Sequence, residues 1–493
     1  MPPVVKVDGG LVRGATRDGV NAFLGLPYAA PAVGADRYRA PQPVVPWDGE
    51  RDATRVGPTA AQSAYPSPMD LILPSSVAPG DHYLNVNVWA PSDRADGEGH
   101  PVMVWIHGGA FVRGANSIST YDGWAFARDG VVLVSVNYRL GVPGFSVLDG
   151  APTNLGLRDQ IAALGWVRDN VATFGGNSDN VTVFGESAGA MSVATLMASP
   201  AAVGLFHRAV AQSGAAASVC QIDDARKVSA EIAAQLGVPP TAEAFGALDP
   251  DVVTAAQGAV ALAMQADPDP TRWGPSVLRG GLGIMSLFPV VDGDVVPDVP
   301  LTRIAAGEAR GMQLLLGTTR EEFRLFMVPT GLAAGFTPAA LPALAARYGW
   351  PHGVVETYTA NRLDAAAGDI ACAILTDAAF RGPATHLAAA HHAAGGTVYA
   401  YEFGWATTVG GLGSSHALEL AFVFDTLSAG GAMAGPDAPT QLADDMHRAW
   451  VAFGHDGSPG WPPWTPAAST VMTFDATSAV GPVPRADELV FWV

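Results

Sequence analysis

The feature that most constrains the fold is a series of short, almost uncharged runs rich in β-branched residues. The runs predicted as strands cover residues 85–89, 102–106, 131–137, 181–184, 208–212, 312–317 and 397–403. Between the third and fourth runs, apolar residues recur at helical spacing from Leu155 to Phe174, so strand, helix and strand form a βαβ crossover. Strands this apolar are covered on both faces. We therefore predict an α/β fold with a central, mostly parallel sheet flanked by helices.

The length of 493 residues leaves the number of domains open, because a sheet-centred fold with insertions can be this long as one unit. We expect one unit over residues 1–493. The Pro- and Gly-rich stretch 267–283 could mark a boundary between lobes or be a loop, and we favour the loop. Residues near 60–80, 262–290 and 325–345 are expected to be insertions that shape an apolar cleft. An equally good alternative is that their apolar side chains only cover the core.

Charge and cysteine content indicate which partners the protein can have and in which compartment it works. The 27 basic and 46 acidic residues give a net charge of −19, which repels phosphate backbones and anionic lipid headgroups. We expect neither nucleic acid nor a membrane surface as a partner. Cys220 and Cys372 lie far apart in no metal-binding spacing, and the N-terminal sequence has no secretory pattern. A cytoplasmic protein is expected; the sequence leaves the oligomeric state open, and we favour a monomer.

A candidate nucleophile follows the predicted strand 181–184. The sequence there is GESAG at residues 185–189, and a helix of small residues comes next. A serine between two glycines at a strand-to-helix turn holds its hydroxyl above the edge of the sheet. The helix N-terminus beneath it supplies free N–H groups and partial positive charge. Because the strand and the helix both flank the motif, we predict that Ser187 is a nucleophile and not a chance turn residue.

A second glycine-rich turn follows the predicted strand 102–106. Its sequence is HGGAF at residues 107–111, and glycines let backbone N–H groups approach a substrate oxygen closely. We expect the N–H groups of Gly109, Ala110 and Ala188 to form an oxyanion hole. An ordinary turn between strands would be the better interpretation if the serine motif were absent. His107 is predicted to order this loop and not to act as a base.

Serine needs a histidine to accept its proton and a carboxylate to orient that histidine. In this architecture the chain order is serine, acid, histidine. The candidate histidines after the serine are His352, His386, His391, His392, His416, His447 and His455. His416 follows the predicted strand 397–403 through the flexible loop GGLGSSH, which favours it as the base. The pair His391 and His392 lacks a carboxylate at matching spacing, so no metal is expected.

The acid is less well determined by the residues alone. The predicted strand 312–317 is followed by Glu321 and Glu322, and either carboxylate would lie at the carboxyl end of a strand. Spacing does not choose between them, and an exposed acidic turn is a third interpretation.

These motifs, with FLGLPYAAP, YLNVNVWAP, NYRLGVPGF, PVVDG, HALELAFVF and WPPW, resemble type-B carboxylesterases of the α/β-hydrolase superfamily over nearly the whole chain. The resemblance implies Ser187 as nucleophile, His416 as base and Glu322 as acid, although Phe323 stands where the family usually has glycine. It also implies that Ser213 donates a hydrogen bond to the acid. Glu186 is expected to support the reacting groups. Tyr83 replaces a cysteine of many relatives, so the N-terminal disulfide of secreted members is absent.

The implied activity is ester hydrolysis through an acyl-enzyme, without a cofactor, on a small-molecule ester. We expect the rate to rise between about pH 6 and 8 as His416 loses its proton. The resemblance permits short aliphatic and aryl esters, including p-nitrobenzyl, p-nitrophenyl and terephthalate esters, and does not choose among them. Two alternatives stay open: an amide, carbamate or carbonate hydrolase with the same triad, and a non-catalytic binding protein on the same fold. The intact triad argues against the second.

Overall fold

The computed structural model describes residues 2–93, 97 and 99–493. Its strands are β1 Val4–Val7, β2 Gly10–Arg13, β3 Ala15–Arg17, β4 Val20–Pro27, β5 Glu50–Asp52, β6 Asn85–Pro91, β7 His100–Ile106, β8 Val132–Val136, β9 Gly176–Glu186, β10 Arg208–Gln212, β11 Cys220–Gln221, β12 Val290–Val291, β13 Gln313–Thr319, β14 Thr397–Phe403, β15 Thr470–Phe474 and β16 Ala479–Pro482.

The α-helices connect these strands. They are α1 Trp124–Arg128, α2 Gly141–Phe145, α3 Leu155–Asn170, α4 Ala188–Met197, α5 Ile222–Leu236, α6 Ala242–Gly246, α7 Pro250–Ala266, α8 Pro270–Trp273, α9 Pro275–Gly280, α10 Pro300–Ala305, α11 Arg324–Met327, α12 Leu332–Gly335, α13 Ala340–Tyr348, α14 Val354–Ala360, α15 Ala367–Thr376, α16 Gly382–Ala393, α17 Leu420–Val423, α18 Leu427–Gly430, α19 Thr440–Asp456 and α20 Ala486–Leu489. Within the described ranges, no helix combines the length and the hydropathy that a membrane crossing requires.

One large sheet of eleven strands organises the chain, in the order β16-β15-β14-β13-β10-β9-β7-β8-β6-β4-β3. Every pairing from β15 to β8 along this order is parallel. The outer pairings on both sides are antiparallel. The predicted central, mostly parallel sheet flanked by helices is therefore confirmed, and this arrangement is that of the α/β-hydrolase fold.

The predicted strands are all present, with bounds that differ by a few residues. The largest difference is in β9, which begins at Gly176 and continues to Glu186, immediately before the candidate nucleophile. The prediction of a loop over 267–283 is wrong, because this stretch contains the short helices α8 and α9. Each begins with a proline, whose missing N–H costs nothing at that position, and the Asp269 side chain caps α8 by accepting from Thr271 N.

Both faces of the sheet are covered, as the uncharged strands require. Val104 and Val183 point into one apolar layer, together with residues of α3, α4 and α16. Trp105 and Phe184 point into the layer on the opposite face, together with residues of α1, α17 and α19. With both faces buried, the positions open to chemistry are the loops at the ends of the strands.

Candidate active site

The predicted site residues meet at the carboxyl edge of the parallel strands. Ser187 follows β9, the glycine-rich loop follows β7, Glu322 follows β13, and His416 lies on the loop after β14. These four strands lie within the central parallel part of the sheet. Residues far apart in sequence therefore share one edge.

The backbone at Ser187 adopts a strained conformation, which is maintained by close packing around the turn. Ser187 has φ 55° and ψ −124°, a conformation rarely adopted by a residue with a side chain. The flanking glycines make it possible: a Cβ at Gly189 would lie 2.0 Å from the carbonyl oxygen of Ile106, and one at Gly185 would lie 2.6 Å from the carbonyl carbon of Gly189. The strand-to-helix turn thus packs directly against β7. This packing orients the Ser187 hydroxyl away from the sheet.

The glycine-rich loop reaches the nucleophile. A Cβ at Gly108 would lie 3.1 Å from the Cβ of Ser187, and Gly109 has φ 110°, so neither position accommodates a side chain. Ala110 also has a positive φ, of 55°. In the described residues, the N–H groups of Gly109 and Ala110 donate no hydrogen bond, and Ala188 is the first residue of α4. All three predicted donors are thus free to bind a substrate oxygen.

His107 belongs to this loop, and its side chain packs against neighbouring residues. Its ring stacks on Tyr138 with centroids 4.6 Å apart, and Nδ1 lies 2.8 Å from the carbonyl oxygen of Gly108. Burial lowers the pKa of His107 to about 4, against a smaller opposing effect of this backbone contact, so the ring is neutral at physiological pH. This arrangement fits the predicted ordering role.

The structure distinguishes the two glutamates that spacing left equivalent. Glu322 Oε2 lies 2.5 Å from His416 Nδ1, and Glu322 Oε1 accepts a hydrogen bond of 2.8 Å from Thr319 N. Glu321 instead accepts from Ser414 N at 2.9 Å and lies 3.8 Å from an Arg324 nitrogen. Glu322 therefore holds the imidazole, while Glu321 ties down the loop that carries it.

The other side of the imidazole faces a second carboxylate. His416 Nε2 lies 3.0 Å from Glu186 Oε1, although the two atoms are not aligned as a hydrogen bond. Between the described residues Ser187 and His416, the structure contains no hydrogen bond. The two side chains border the same cavity, and such catalytic contacts often form only when substrate is bound. Sequence placed Glu186 beside the site without indicating that it would contact the His416 imidazole.

This double contact changes the acid–base behaviour of the base. Burial by itself lowers the pKa of His416, but the attraction of Glu186 and Glu322 for the imidazolium outweighs it. The result is a pKa well above the ordinary 6.5. If His416 is the base, as predicted, we expect the rise in rate to lie at higher pH than the predicted range of about 6 to 8.

Behind these groups lie two further polar residues. Glu419 is fully buried, and burial, reinforced by repulsion from Glu186 and Glu322, raises its pKa to about 8. It accepts a hydrogen bond of 3.3 Å from Gln212 Nε2. Sequence reasoning missed Glu419; the available signal was an acidic residue inside the apolar run HALELAFVF.

Ser213 is also fully buried, but its hydroxyl has no hydrogen-bond partner in the described structure, so the expected bond to Glu322 is not formed.

The site opens into a cavity of about 990 Å³. Residues from each of the three expected insertions line it, among them Tyr65, Met69, Leu278, Met285, Phe326 and Leu332. Phe326 and Phe380 pack on the imidazole of His416, with centroid distances of 5.2 and 5.0 Å. Phe380 belongs to a π-helical turn, Asp377–Arg381, a distortion that often occurs at functional sites. The walls are thus largely apolar and reach the reacting groups.

Two of the other candidate histidines, His447 and His391, have structural contacts. His447 lies on α19, where Nδ1 contacts the carbonyl oxygen of Val423 at 2.8 Å and Nε2 lies 3.1 Å from Asp129. His391 lies on α16, with Nε2 3.0 Å from the carbonyl oxygen of Met312. Over the part of the chain that the structure describes, no three His, Cys, Asp or Glu side chains are grouped to hold a metal ion.

Comparisons with known proteins agree with this geometry. The model of the carboxylesterase family matches residues 1–492. The para-nitrobenzyl esterase of Bacillus subtilis is 36% identical, over 98% of this chain and 97% of that protein. The phenmedipham hydrolase of Pseudarthrobacter oxydans is 32% identical, over 93% and 92%. The structure of carboxylesterase EST55 from Geobacillus stearothermophilus superposes with a TM-score of 0.86 and 34% identity, covering 99% of this chain and 100% of that one. The chain therefore belongs to the carboxylesterase family and is a carboxylic-ester hydrolase.

Proposed function

We propose that Ser187, His416 and Glu322 form the catalytic triad of this esterase. The observation that carries the proposal is the 2.5 Å contact of Glu322 with His416 Nδ1, at the edge where the strained turn presents Ser187. Glu322 holds the imidazole at Nδ1 and leaves Nε2, which lies 3.0 Å from Glu186 Oε1, as the nitrogen that accepts the proton of Ser187. His416 then takes the proton of Ser187 as Oγ attacks the carbonyl carbon.

The N–H groups of Gly109, Ala110 and Ala188 stabilise the negative charge that develops on the carbonyl oxygen. Each such donor increases the rate about 10²–10³-fold, because it is already oriented before the reaction. His416 returns its proton to the departing alcohol, and water then hydrolyses the acyl-enzyme with the same base. No cofactor takes part in this cycle. Glu186 stabilises the imidazolium that forms in each half-reaction, since it faces Nε2 at 3.0 Å.

We propose aryl and short aliphatic esters as substrates, p-nitrobenzyl esters among them. The similarity to the Bacillus para-nitrobenzyl esterase and the apolar cavity support this range. A carbamate is the second candidate, because the triad is indifferent to the leaving group and the phenmedipham hydrolase is 32% identical over nearly the whole chain. Comparing kcat/KM for a p-nitrobenzyl ester and a phenyl carbamate chooses between them.

We also propose that the enzyme works as a cytoplasmic monomer on small molecules, without nucleic acid as a partner. Cys220 and Cys372 are both buried as free thiols, which suits a reducing compartment. The net charge of −19 supports the absence of nucleic-acid binding.

The pH dependence of the rate tests the role of His416. Only the neutral imidazole accepts a proton, so we expect kcat/KM to rise with pH along a limb centred above 6.5, the ordinary histidine value. In Glu186→Gln one of the two attracting charges is lost, and the limb is expected to move to lower pH. The measurement is kcat/KM for p-nitrophenyl acetate from acidic to alkaline pH in both enzymes.

Glu419→Gln is the matched control for this shift. Glu419 is buried beside the same charges, but with a pKa of about 8 it is mostly protonated at neutral pH. Replacing it with the neutral amide removes little charge below about pH 8, so over that part of the limb kcat/KM is expected to change much less than in Glu186→Gln. Equal movement in the two variants would contradict the assignment of the shift to the Glu186 charge.

A covalent probe tests the proposed function against a non-catalytic role. A fluorophosphonate reacts only with an activated serine, so it is expected to label Ser187 and to do so more slowly when an ester substrate competes. Peptide mass spectrometry locates the modified residue. Absence of labelling, with no ester hydrolysis, would favour the binding protein.

A further inference from the structure

The charges that line the active-site cavity differ in sign from those of the protein as a whole. The chain carries a net charge of −19. Among the described residues that line the cavity, the charged or titratable ones, tyrosines apart, are Arg113, Arg279, Glu186 and His416. Glu186 and His416 are 3.0 Å apart and compensate each other when the imidazole is protonated. When the imidazole is neutral, the two guanidinium groups still outnumber the single Glu186 carboxylate, so the cavity lining carries a net positive charge.

Arg113 is the more informative of the two. It lies three residues beyond Ala110 on the same glycine-rich loop, and its Cγ would contact a Cβ at Gly109 at 3.1 Å. The side chain is thus packed against one of the predicted oxyanion donors. Gln62 fixes the end of this loop through hydrogen bonds of 2.8 and 2.9 Å with the backbone of Gly114. The backbone next to Arg113 is thus anchored, and its half-buried side chain forms part of the cavity lining.

The hydrogen-bonding capacity of Arg113 is largely unused. Its guanidinium carbon lies 4.7 Å from the centroid of the Tyr65 ring, which also borders the cavity. Its Nε is shielded from solvent and has no hydrogen-bond partner in the described structure. Within the described residues, no carboxylate lies within ion-pair distance of Arg113. A half-buried guanidinium with unsatisfied donors in a substrate cavity is suited to a planar anion such as a carboxylate.

Arg279 adds a second positive charge at the mouth of the cavity. It is exposed on α9, and in the described structure it forms no ion pair. The rest of the lining between the two arginines is mostly apolar, with Leu278, Met285 and Phe326 among its residues. The cavity thus combines an apolar body with positive charge at Arg113 and at the entrance.

We propose that the enzyme prefers esters that carry a free carboxylate remote from the scissile bond, and that Arg113 binds this carboxylate. The inference deepens the proposed function and rests on it. A half-ester of a dicarboxylic acid, or an ester of a hydroxy acid, has this chemistry. Its apolar body lies against the cavity walls while its carboxylate pairs with the guanidinium, so the positive charge selects substrates without entering the reaction.

The test compares substrates that differ only in charge. On the acyl side, mono-p-nitrophenyl suberate is compared with its methyl-capped diester, and release of p-nitrophenolate is followed for both. On the alcohol side, 4-carboxyphenyl acetate is compared with its methyl ester. The quantity of interest is the ratio of kcat/KM for the charged substrate to that for the capped one. Because this ratio is compared between enzyme variants, the intrinsic reactivities of the substrates cancel.

We expect Arg113→Gln to lower the ratio about tenfold in one of the two series, which identifies the side of the scissile bond that Arg113 serves. Arg113→Lys retains the charge without the planar pair of donors and is expected to give an intermediate ratio. Arg55→Gln removes one exposed positive charge outside the cavity lining, and the ratio is expected to stay at the wild-type value.

Ionic strength provides a test that needs no variant. In the wild-type enzyme, about 0.5 M NaCl is expected to lower the ratio in the same series, because salt screens a partly exposed charge pair. A ratio that responds neither to salt nor to Arg113→Gln or Arg113→Lys in either series would overturn the proposal. Efficient hydrolysis of the capped esters in that case would leave the proposed function intact. Failure to hydrolyse any of the esters would count against the proposed function itself.

Discussion

Ser187→Ala is expected to reduce kcat for p-nitrophenyl esters by on the order of 10⁶, because no other group replaces the attacking oxygen. The turn geometry at φ 55° and ψ −124° is set by Gly185 and Gly189 against β7, and it does not depend on the hydroxyl. The variant is therefore expected to fold with an unchanged melting temperature. The measurements are steady-state kinetics and thermal unfolding on the same preparation.

Ser213→Ala is the matched control for this substitution. Ser213 also has a positive φ, of 50°, and its buried hydroxyl has no partner in the described structure. Its removal is expected to change kcat by less than about tenfold, since a hydrogen bond that is not formed cannot be lost. Near wild-type turnover in Ser187→Ala would contradict the assignment of the nucleophile. A loss in Ser213→Ala as large as in Ser187→Ala would show that its hydroxyl acts in catalysis.

Glu322→Gln is expected to lower kcat by on the order of 10⁴, because the amide favours the wrong tautomer of the histidine. An ionised carboxylate accepts the Nδ1 proton of His416, whereas the NH₂ group of glutamine can only donate at that position. Nε2 would then carry the proton and could not act as a base. The substitution keeps the size of the side chain, so the loss is expected in kcat while the cavity retains its shape.

Glu321→Gln, at the neighbouring position, separates this effect from general damage to the turn. Its carboxylate holds Ser414 N at 2.9 Å and does not touch the imidazole. A loss of less than about tenfold is expected, through a looser loop. If Glu321→Gln lost activity and Glu322→Gln did not, the acid of the triad would be Glu321. Melting temperatures for both variants show whether either loss reflects unfolding.

The parts of the fold and site that sequence predicted are those governed by local rules. The strands before Ser187 and before the glycine-rich loop could be recognised because a buried parallel strand is apolar on both faces. The turn at residues 185–189 could be recognised because its conformation demands glycines on both sides of the serine. His416 could be favoured as the base among seven histidines because it follows a strand through a flexible loop, and the structure places it beside Glu322.

The parts that sequence did not predict depend on which side chains meet after folding. Nothing in the motif GESAG indicates that Glu186 would face His416 Nε2, because that contact needs both loops in place. The choice between Glu321 and Glu322 likewise needed the direction of the chain after β13. The short helices within 267–283 were obscured by prolines, which break a helix in its interior but are tolerated at its first turn.

The reacting groups lie at the edge of the sheet, whereas the insertions near 60–80, 262–290 and 325–345 contribute to the cavity wall. This separation affects how the substrate range of such an enzyme can change. The orientation of the nucleophile is inherited from the pairing of β7 with β9, whereas much of the wall that a substrate contacts comes from connections lying elsewhere in the chain. Exchanges of residues in those connections can broaden, narrow or redirect the range of accepted esters while the bond-breaking machinery keeps its alignment. New substrate preferences can therefore arise largely through changes in those connections.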